Sequence, residues 1–115
     1  MKVLVVEDDQ TLAGLVETIA RAKGHDVGVF DSVVGVVEAI ELPCTVLLDL
    51  TLVEGDAPGL VREIRKDPRT AGARVILLSG NRDIEAIATE CGADAWLKKP
   101  FGLADLEEEL RNVEC

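Results

Sequence analysis

Thr45-Val46-Leu47-Leu48-Asp49 is the stretch that decides the fold: a short, largely aliphatic run closed by a single acid. A short apolar run without alternation is how a strand covered on both faces reads. The same pattern recurs along the chain. Val3-Leu4-Val5-Val6 runs into Glu7-Asp8-Asp9, and Val75-Ile76-Leu77-Leu78 runs into Ser79-Gly80. Val27-Gly28-Val29-Phe30 and Ala95-Trp96-Leu97 are weaker copies, the latter followed by Lys98-Lys99-Pro100.

Between these runs the hydrophobic period changes from strand to helix. Leu12, Leu15, Val16 and Ile19 mark one face of a helix, as do Leu60, Val61 and Ile64, and Ile84, Ile87, Ala88 and Cys91. Leu103, Leu106, Leu110 and Val113 continue the pattern at the C-terminal end, and Gly24, Gly92 and Gly102 punctuate the joins. The second helix is expected over Val33 to Glu41, with Asp31-Ser32 as its N-cap. Its Val33-Val34-Gly35-Val36-Val37 stretch has strand propensity, and only its place between two strands argues for helix. Five strand–helix units in strict alternation predict a parallel sheet with helices on both faces, a single doubly wound α/β domain over residues 1–115.

Composition narrows the function. The chain has 115 residues, 48% hydrophobic and 30% charged, which excludes disorder. Twelve basic against 22 acidic residues give a net charge of −10, the wrong sign for a nucleic-acid or anionic-membrane surface. No apolar run approaches the ~20 residues of a membrane span, and no leader pattern follows Met1, so a cytoplasmic location is expected. Cys44, Cys91 and Cys115 show no paired spacing, and His25 is the single histidine, in a Gly-His-Asp turn. Disulfide and zinc scaffolds are therefore not expected, and Cys44 and Cys91 read as core residues.

Doubly wound sheets carry their sites at the carboxyl ends of the strands. That rim holds Glu7, Asp8, Asp9, Asp49, Ser79, Lys98 and Lys99. If Glu7, Asp8 and Asp49 gather roughly 5 Å apart, each pair repels by about 3 kcal/mol at an effective dielectric of 20. Three such pairs rival the whole stability of a domain, on the order of 5–15 kcal/mol. Either the carboxyl groups hold protons or a cation enters, and an all-oxygen set favours Mg²⁺ before Ca²⁺. A metal, a lysine and a hydroxyl around one carboxylate make a phosphoryl-transfer site, with Asp49 as the nucleophile and Glu7 and Asp8 as metal ligands. Other acids read as structural: Asp9, Asp56 and Asp67 as cap or turn residues, and Glu107-Glu108-Glu109 as a solvated helix face.

Four separated motifs now stand in order: Val-Val-Glu7-Asp8-Asp9, Leu-Leu-Asp49-Leu-Thr-Leu, Leu-Leu-Ser79-Gly80 and Trp96-Leu-Lys-Lys99-Pro100-Phe101. Together they resemble the response-regulator receiver domain of bacterial two-component signalling, over essentially the whole chain. The resemblance implies the flavodoxin-like strand order 2-1-3-4-5 and a phosphoacceptor at Asp49. It implies Mg²⁺ bound directly by Asp8 and Asp49, through water by Glu7, and by the Thr51 carbonyl. Ser79 matches the switch hydroxyl, Lys99 the lysine that pairs with phosphoryl oxygens, and Trp96 the aromatic switch position, where tyrosine or phenylalanine is more usual. Lys99-Pro100 matches a bond often cis in this family. The positions of Thr51 and Asn81 bear on the adduct's lifetime. Val53 and Ala57 stand where proline and glycine are common, departures that concern the loop and its partners rather than the chemistry.

The function so implied is a signalling phosphoprotein that takes a phosphoryl group from a histidine kinase or histidine phosphotransfer protein and catalyses its own phosphorylation and dephosphorylation. The rival within the family is a degenerate receiver that binds partners without phosphorylation, but neither acidic-pair residue, acceptor nor lysine is missing. A haloacid-dehalogenase-type hydrolase would have its nucleophile after the first strand and a second Asp where Thr51 stands. A flavodoxin-like electron carrier would need a Ser/Thr-Gly phosphate loop after the first strand.

Overall fold

Each of the apolar runs becomes a strand. A computed structural model describes residues 1–52 and 55–111; Val53, Val113 and Cys115 lie outside the described residues. Strands β1 (Lys2–Val6), β2 (Asp26–Phe30), β3 (Cys44–Asp49), β4 (Arg74–Ser79) and β5 (Ala95–Lys98) are all parallel, in the order β2-β1-β3-β4-β5. Helices α1 (Gln10–Ala22), α2 (Val36–Ala39), α3 (Ala57–Lys66), α4 (Ile84–Cys91) and α5 (Leu103–Arg111) alternate with them. This is the expected doubly wound sheet in the expected order.

The unbroken apolar runs are explained by two cores, one on each face. Leu4, Val6, Val46, Leu48, Val75 and Leu77 point to the side of α2, α3 and α4, where they meet Val36, Leu60, Val61, Ile64 and Ala88. Val3, Val5, Leu47, Ile76 and Leu78 point the other way, against Val16 and Ala20 of α1 and Leu106 and Leu110 of α5. Both faces of β3 are buried, so the strand is aliphatic through Val46-Leu47-Leu48, with a small Thr45 near its start and a charge only at its carboxyl end.

Helix boundaries follow local chemistry. Asp9 caps α1, accepting the N–H groups of Thr11 at 3.0 Å and Leu12 at 3.2 Å. Asp56 caps α3 by accepting the Gly59 N–H at 3.0 Å, with Pro58 in the first turn. Asp67 ends α3 and is held by Arg69, which keeps its carboxyl low, at about 2. Cys44 and Cys91 are core residues, and burial pushes the Cys44 thiol up to about 11. His25 lies in the α1–β2 loop, only 8% exposed.

Two expectations need correction. The second helix does not span Val33 to Glu41: it is a single turn, Val36–Ala39. Gly35 precedes it at φ 81°, a left-handed conformation that no continuous helix passes through, and Ile40 leaves it with extended backbone. Asp31-Ser32 is accordingly not its cap; the Ser32 hydroxyl instead accepts the Val34 N–H at 3.3 Å in a local turn. The Glu107–Glu109 run is not simply solvated either. Glu107 pairs with Lys23 at 3.4 Å and Glu109 with Arg74 at 2.7 Å, tying α5 to α1 and β4, while Glu108 is exposed.

Candidate functional site

A parallel sheet delivers the carboxyl ends of its strands to one rim, so residues as distant in the chain as Glu7 and Lys99, 92 positions apart, meet there. Glu7 follows β1, Asp49 closes β3, Ser79 closes β4, and Lys99 follows β5. β1 and β3 are neighbours at the centre of the sheet, where the chain's progression reverses. Glu7 and Asp49, each 2% exposed, therefore stand side by side at the switch point.

The Lys99 ammonium lies between them, 3.0 Å from Glu7 Oε2 and 3.4 Å from Asp49 Oδ1. The Asp9 N–H donates to Glu7 Oε1 at 3.1 Å. Asp49 Oδ1 also accepts the amide and the hydroxyl of Thr51, both at 3.1 Å. Ser79 is fully buried; its hydroxyl accepts the Asn81 N–H at 2.9 Å, and its carbonyl accepts the Lys99 N–H at 2.8 Å. The Leu50 N–H donates to the Leu78 carbonyl at 2.9 Å, fixing the turn after Asp49 to the end of β4.

Burial pushes the Glu7 carboxyl above its ordinary range; Lys99 and the Asp9 amide oppose this, and Asp49 adds to it. Burial also works against the Lys99 charge, but the hydrogen bond to Glu7 and the charge of Asp49 outweigh it and hold the ammonium above its usual range. Carboxylate oxygens of Glu7, Asp8 and Asp49 lie within 4.8 Å of one another, the separation the sequence reading supposed. Three carboxylates against one ammonium leave a formal −2, the charge that one divalent cation cancels. Donors that are all oxygen, two of them buried carboxylates, suit a hard ion. The residues present fit Mg²⁺.

The structure thus brings together Glu7, Asp8, Asp49, Thr51, Ser79 and Lys99, and Lys99-Pro100 is cis, as is Leu42-Pro43. Lys98 is exposed and takes no part. Trp96 stands two residues before Lys98 on β5, 38% exposed. Its neighbours Ala95 and Leu97 belong to the α1–α5 core, so its ring lies on the opposite face, the one to which Ser79, in register with Val75 and Leu77, also points.

The sequence reading gave Thr51 a carbonyl ligand and a bearing on the adduct's lifetime, but not the hydrogen bonds that its amide and hydroxyl make to Asp49. A threonine two residues beyond a strand-end Asp is a legible signal, because such an Asp commonly accepts from the backbone two residues on. Pro100 and Phe101 also line a shallow groove with Leu12 and Leu15 of α1, beside Asp9 and Lys99, and Leu15 is 54% exposed.

Comparisons agree with this architecture. The family model of the response regulator receiver domain matches residues 3–111. RpaA, a DNA-binding dual master transcriptional regulator of Synechocystis sp., is 33% identical over 99% of this chain and 48% of its own length. KdpE, the KDP operon transcriptional regulatory protein of Escherichia coli, is 32% identical over 95% of this chain and 49% of its own. The chain spans about half the length of the curated relatives it matches. Among solved structures, the receiver domain of NtrX from Brucella abortus superposes with a TM-score of 0.82 at 29% identity, covering 96% of both chains. The receiver domain of the sensor histidine kinase PA1611 from Pseudomonas aeruginosa, with a magnesium ion coordinated in its active site cleft, gives 0.85 at 24% identity, covering 99% of this chain and 98% of its own. That second likeness is one of fold alone.

Proposed function

Because this chain belongs to the response regulator receiver domain family of two-component signalling, we propose that residues 1–115 form a cytoplasmic receiver that accepts a phosphoryl group on Asp49 from a histidine kinase or histidine phosphotransfer protein. The observation that carries the reading is a carboxylate 2% exposed, held 3.4 Å from a lysine and within 4.8 Å of two further acids. That arrangement costs stability unless it serves a cation and a dianionic group.

Mg²⁺ would be held by Asp8, Asp49 and the Thr51 carbonyl, with Glu7 reaching it through water, and supplies charge compensation for the phosphoryl oxygens. Asp49 attacks phosphorus in line as the donor nitrogen departs. Lys99, already poised at the acceptor, follows the negative charge onto the phosphoryl group. The Ser79 hydroxyl turns to a phosphoryl oxygen, giving up its bond from the Asn81 amide. Trp96 then repacks toward the space left on that face of the sheet, and the altered surface of α4, β5 and α5 is what a downstream protein reads. Water attack on the same phosphorus returns the protein to its starting state, so the chain is a signalling phosphoprotein that catalyses its own dephosphorylation rather than a turnover enzyme. The groove of Leu12, Leu15 and Phe101 beside Lys99 offers the donor protein an apolar seat. This unit does not itself bind nucleic acid or membrane, in keeping with its −10 charge.

Incubation with a small phosphodonor and Mg²⁺ should add one phosphoryl group to Asp49, read by mass spectrometry. Asp49→Asn should keep the fold and lose the adduct. Labelling that survives in Asp49→Asn, or that is unchanged in chelator, defeats the assignment. A folded wild type that is never labelled would make it the degenerate, phosphorylation-independent kind of receiver.

A further inference from the structure

β1 ends at Val6 and α1 begins at Gln10, so the acids between them stand on backbone that neither a sheet ladder nor a helix holds. Two sets of hydrogen bonds fix that turn, and both involve Asp9. Its N–H donates to Glu7 Oε1 at 3.1 Å, closing a turn around a single residue, Asp8. Its side-chain Oδ1 accepts the Thr11 N–H at 3.0 Å and the Leu12 N–H at 3.2 Å, fastening the same residue to the first turn of α1. The near side of the turn is equally firm: Glu7 is 2% exposed, its N–H donates to the Phe30 carbonyl at 2.9 Å, and its Oε2 accepts from Lys99 at 3.0 Å. Asp8 therefore occupies the apex of a turn anchored by the sheet at one end and by the Asp9 cap at the other.

We propose that Asp9 is a positioning residue of the metal site: by capping α1 it holds the turn that presents Asp8 to Mg²⁺, and Mg²⁺ binding depends on its capping oxygen rather than on its charge. The inference rests on the reading of Glu7, Asp8 and Asp49 as a Mg²⁺ site. Mg²⁺ demands near-ideal octahedral geometry at about 2.0–2.1 Å, so a ligand on a loosened turn binds it only after the turn has been ordered again. That ordering is taken out of the binding free energy. The Asp9 carboxylate is exposed, where salt screens its charge, whereas the cap acts through the backbone it fixes.

Cap and charge are separable, because asparagine caps a helix about as well as aspartate and alanine does not. Mg²⁺ is titrated by calorimetry into wild type, Asp9→Ala and Asp9→Asn at about 0.15 M salt. Asp9→Ala should bind Mg²⁺ about 3–5-fold more weakly, the upper value being the whole worth of a typical cap. Asp9→Asn should stay within about twofold of wild type, since it keeps the oxygen and loses only a screened charge. Urea melts in chelator verify that each protein is folded. Should Asp9→Ala not fold, Asp9→Gly deletes the same oxygen at less cost to the helix and carries the same expectation. A cap with a structural role alone would lower the urea midpoint of Asp9→Ala and leave its Mg²⁺ affinity at the wild-type value, which overturns the proposal. So does an Asp9→Asn as weak as Asp9→Ala, which would make charge the cause. A wild type that binds no Mg²⁺ overturns the metal reading itself, so the two failures are distinguishable.

Discussion

Glu7→Gln should stabilise this protein when no divalent cation is present, although it removes a partner of Lys99. With the oxygens at their 4.8 Å limit and an effective dielectric of 20, Glu7 and Asp49 repel by about 3.5 kcal/mol, while Lys99 at 3.0 Å returns about 5.5 kcal/mol. Asp8 is half-exposed, and its repulsion amounts to about half that of Asp49. Attraction and repulsion nearly cancel, so lost hydration decides the sign, as the raised Glu7 carboxyl also shows. Burying a carboxylate costs several kcal/mol, of which the Asp9 N–H recovers a part. Glutamine carries no charge to dehydrate and still offers an oxygen to Lys99 and to the Asp9 amide. The expected gain is about 1–2 kcal/mol near neutral pH, or about 5 °C in Tm. Its pH dependence has a definite direction. A carboxyl whose folded-state value lies above its ordinary 4.5 binds more protons folded than unfolded, so wild-type stability falls as pH rises through that window. The advantage of Glu7→Gln should therefore be present at about pH 7 and fade toward about pH 4, where Glu7 is protonated in both states. Urea melts in chelator at the two pH values measure it. A variant no more stable than wild type at neutral pH would refute the reasoning, as would an advantage of equal size in acid, which would mark a packing effect.

Asp8→Ala should weaken Mg²⁺ binding more than Glu7→Gln does, since Asp8 is the direct ligand in the proposed site; titrations of both against wild type decide, and equal affinity in Asp8→Ala and wild type would count against it. Trp96 is the single tryptophan, and its emission or quencher access should change when beryllofluoride binds with Mg²⁺, with a smaller response in Ser79→Ala; full binding with no response would make Trp96 a fixed surface residue. Arg65→Met should destabilise the fold by about 2–3 kcal/mol without altering Mg²⁺ affinity. Arg65 donates to the Gly92 and Ala71 carbonyls at 2.9 and 2.8 Å and to Asp94 at 2.6 Å, at the end of the sheet remote from Asp49; denaturant midpoints and a metal titration together test this.

The strands were legible because β3 and its neighbours are buried on both faces, which favours near-continuous aliphatic runs, and because a charged residue is then tolerated only at a strand's end. Asp49 and Ser79 are conspicuous for that reason, and so are Glu7 and Lys99 just past their strands. Glu7, Asp8, Asp49 and Lys99 could thus be picked out from type and position before any distance was known. The second helix could not, because Val33-Val34-Gly35-Val36-Val37 suits strand, turn and helix about equally. Its reduction to one turn depends on Gly35 taking a left-handed φ beside the Phe30 ring, whose nearest atom lies 3.8 Å from where a Cβ would stand. The charged run at Glu107–Glu109 looked solvated because its partners Lys23 and Arg74 lie 84 and 35 positions away, and only folding makes them neighbours. The same holds inside the site. Sequence placed Thr51 two residues after Asp49, but only the turn held by Leu50 and Leu78 brings its hydroxyl and amide onto Oδ1. Residue type and position singled out the candidate groups, since a sheet buried on both faces leaves its charges to the strand ends; tertiary structure decided which oxygen each donor meets, because a hydrogen bond depends on tenths of an ångström that no pattern of letters carries.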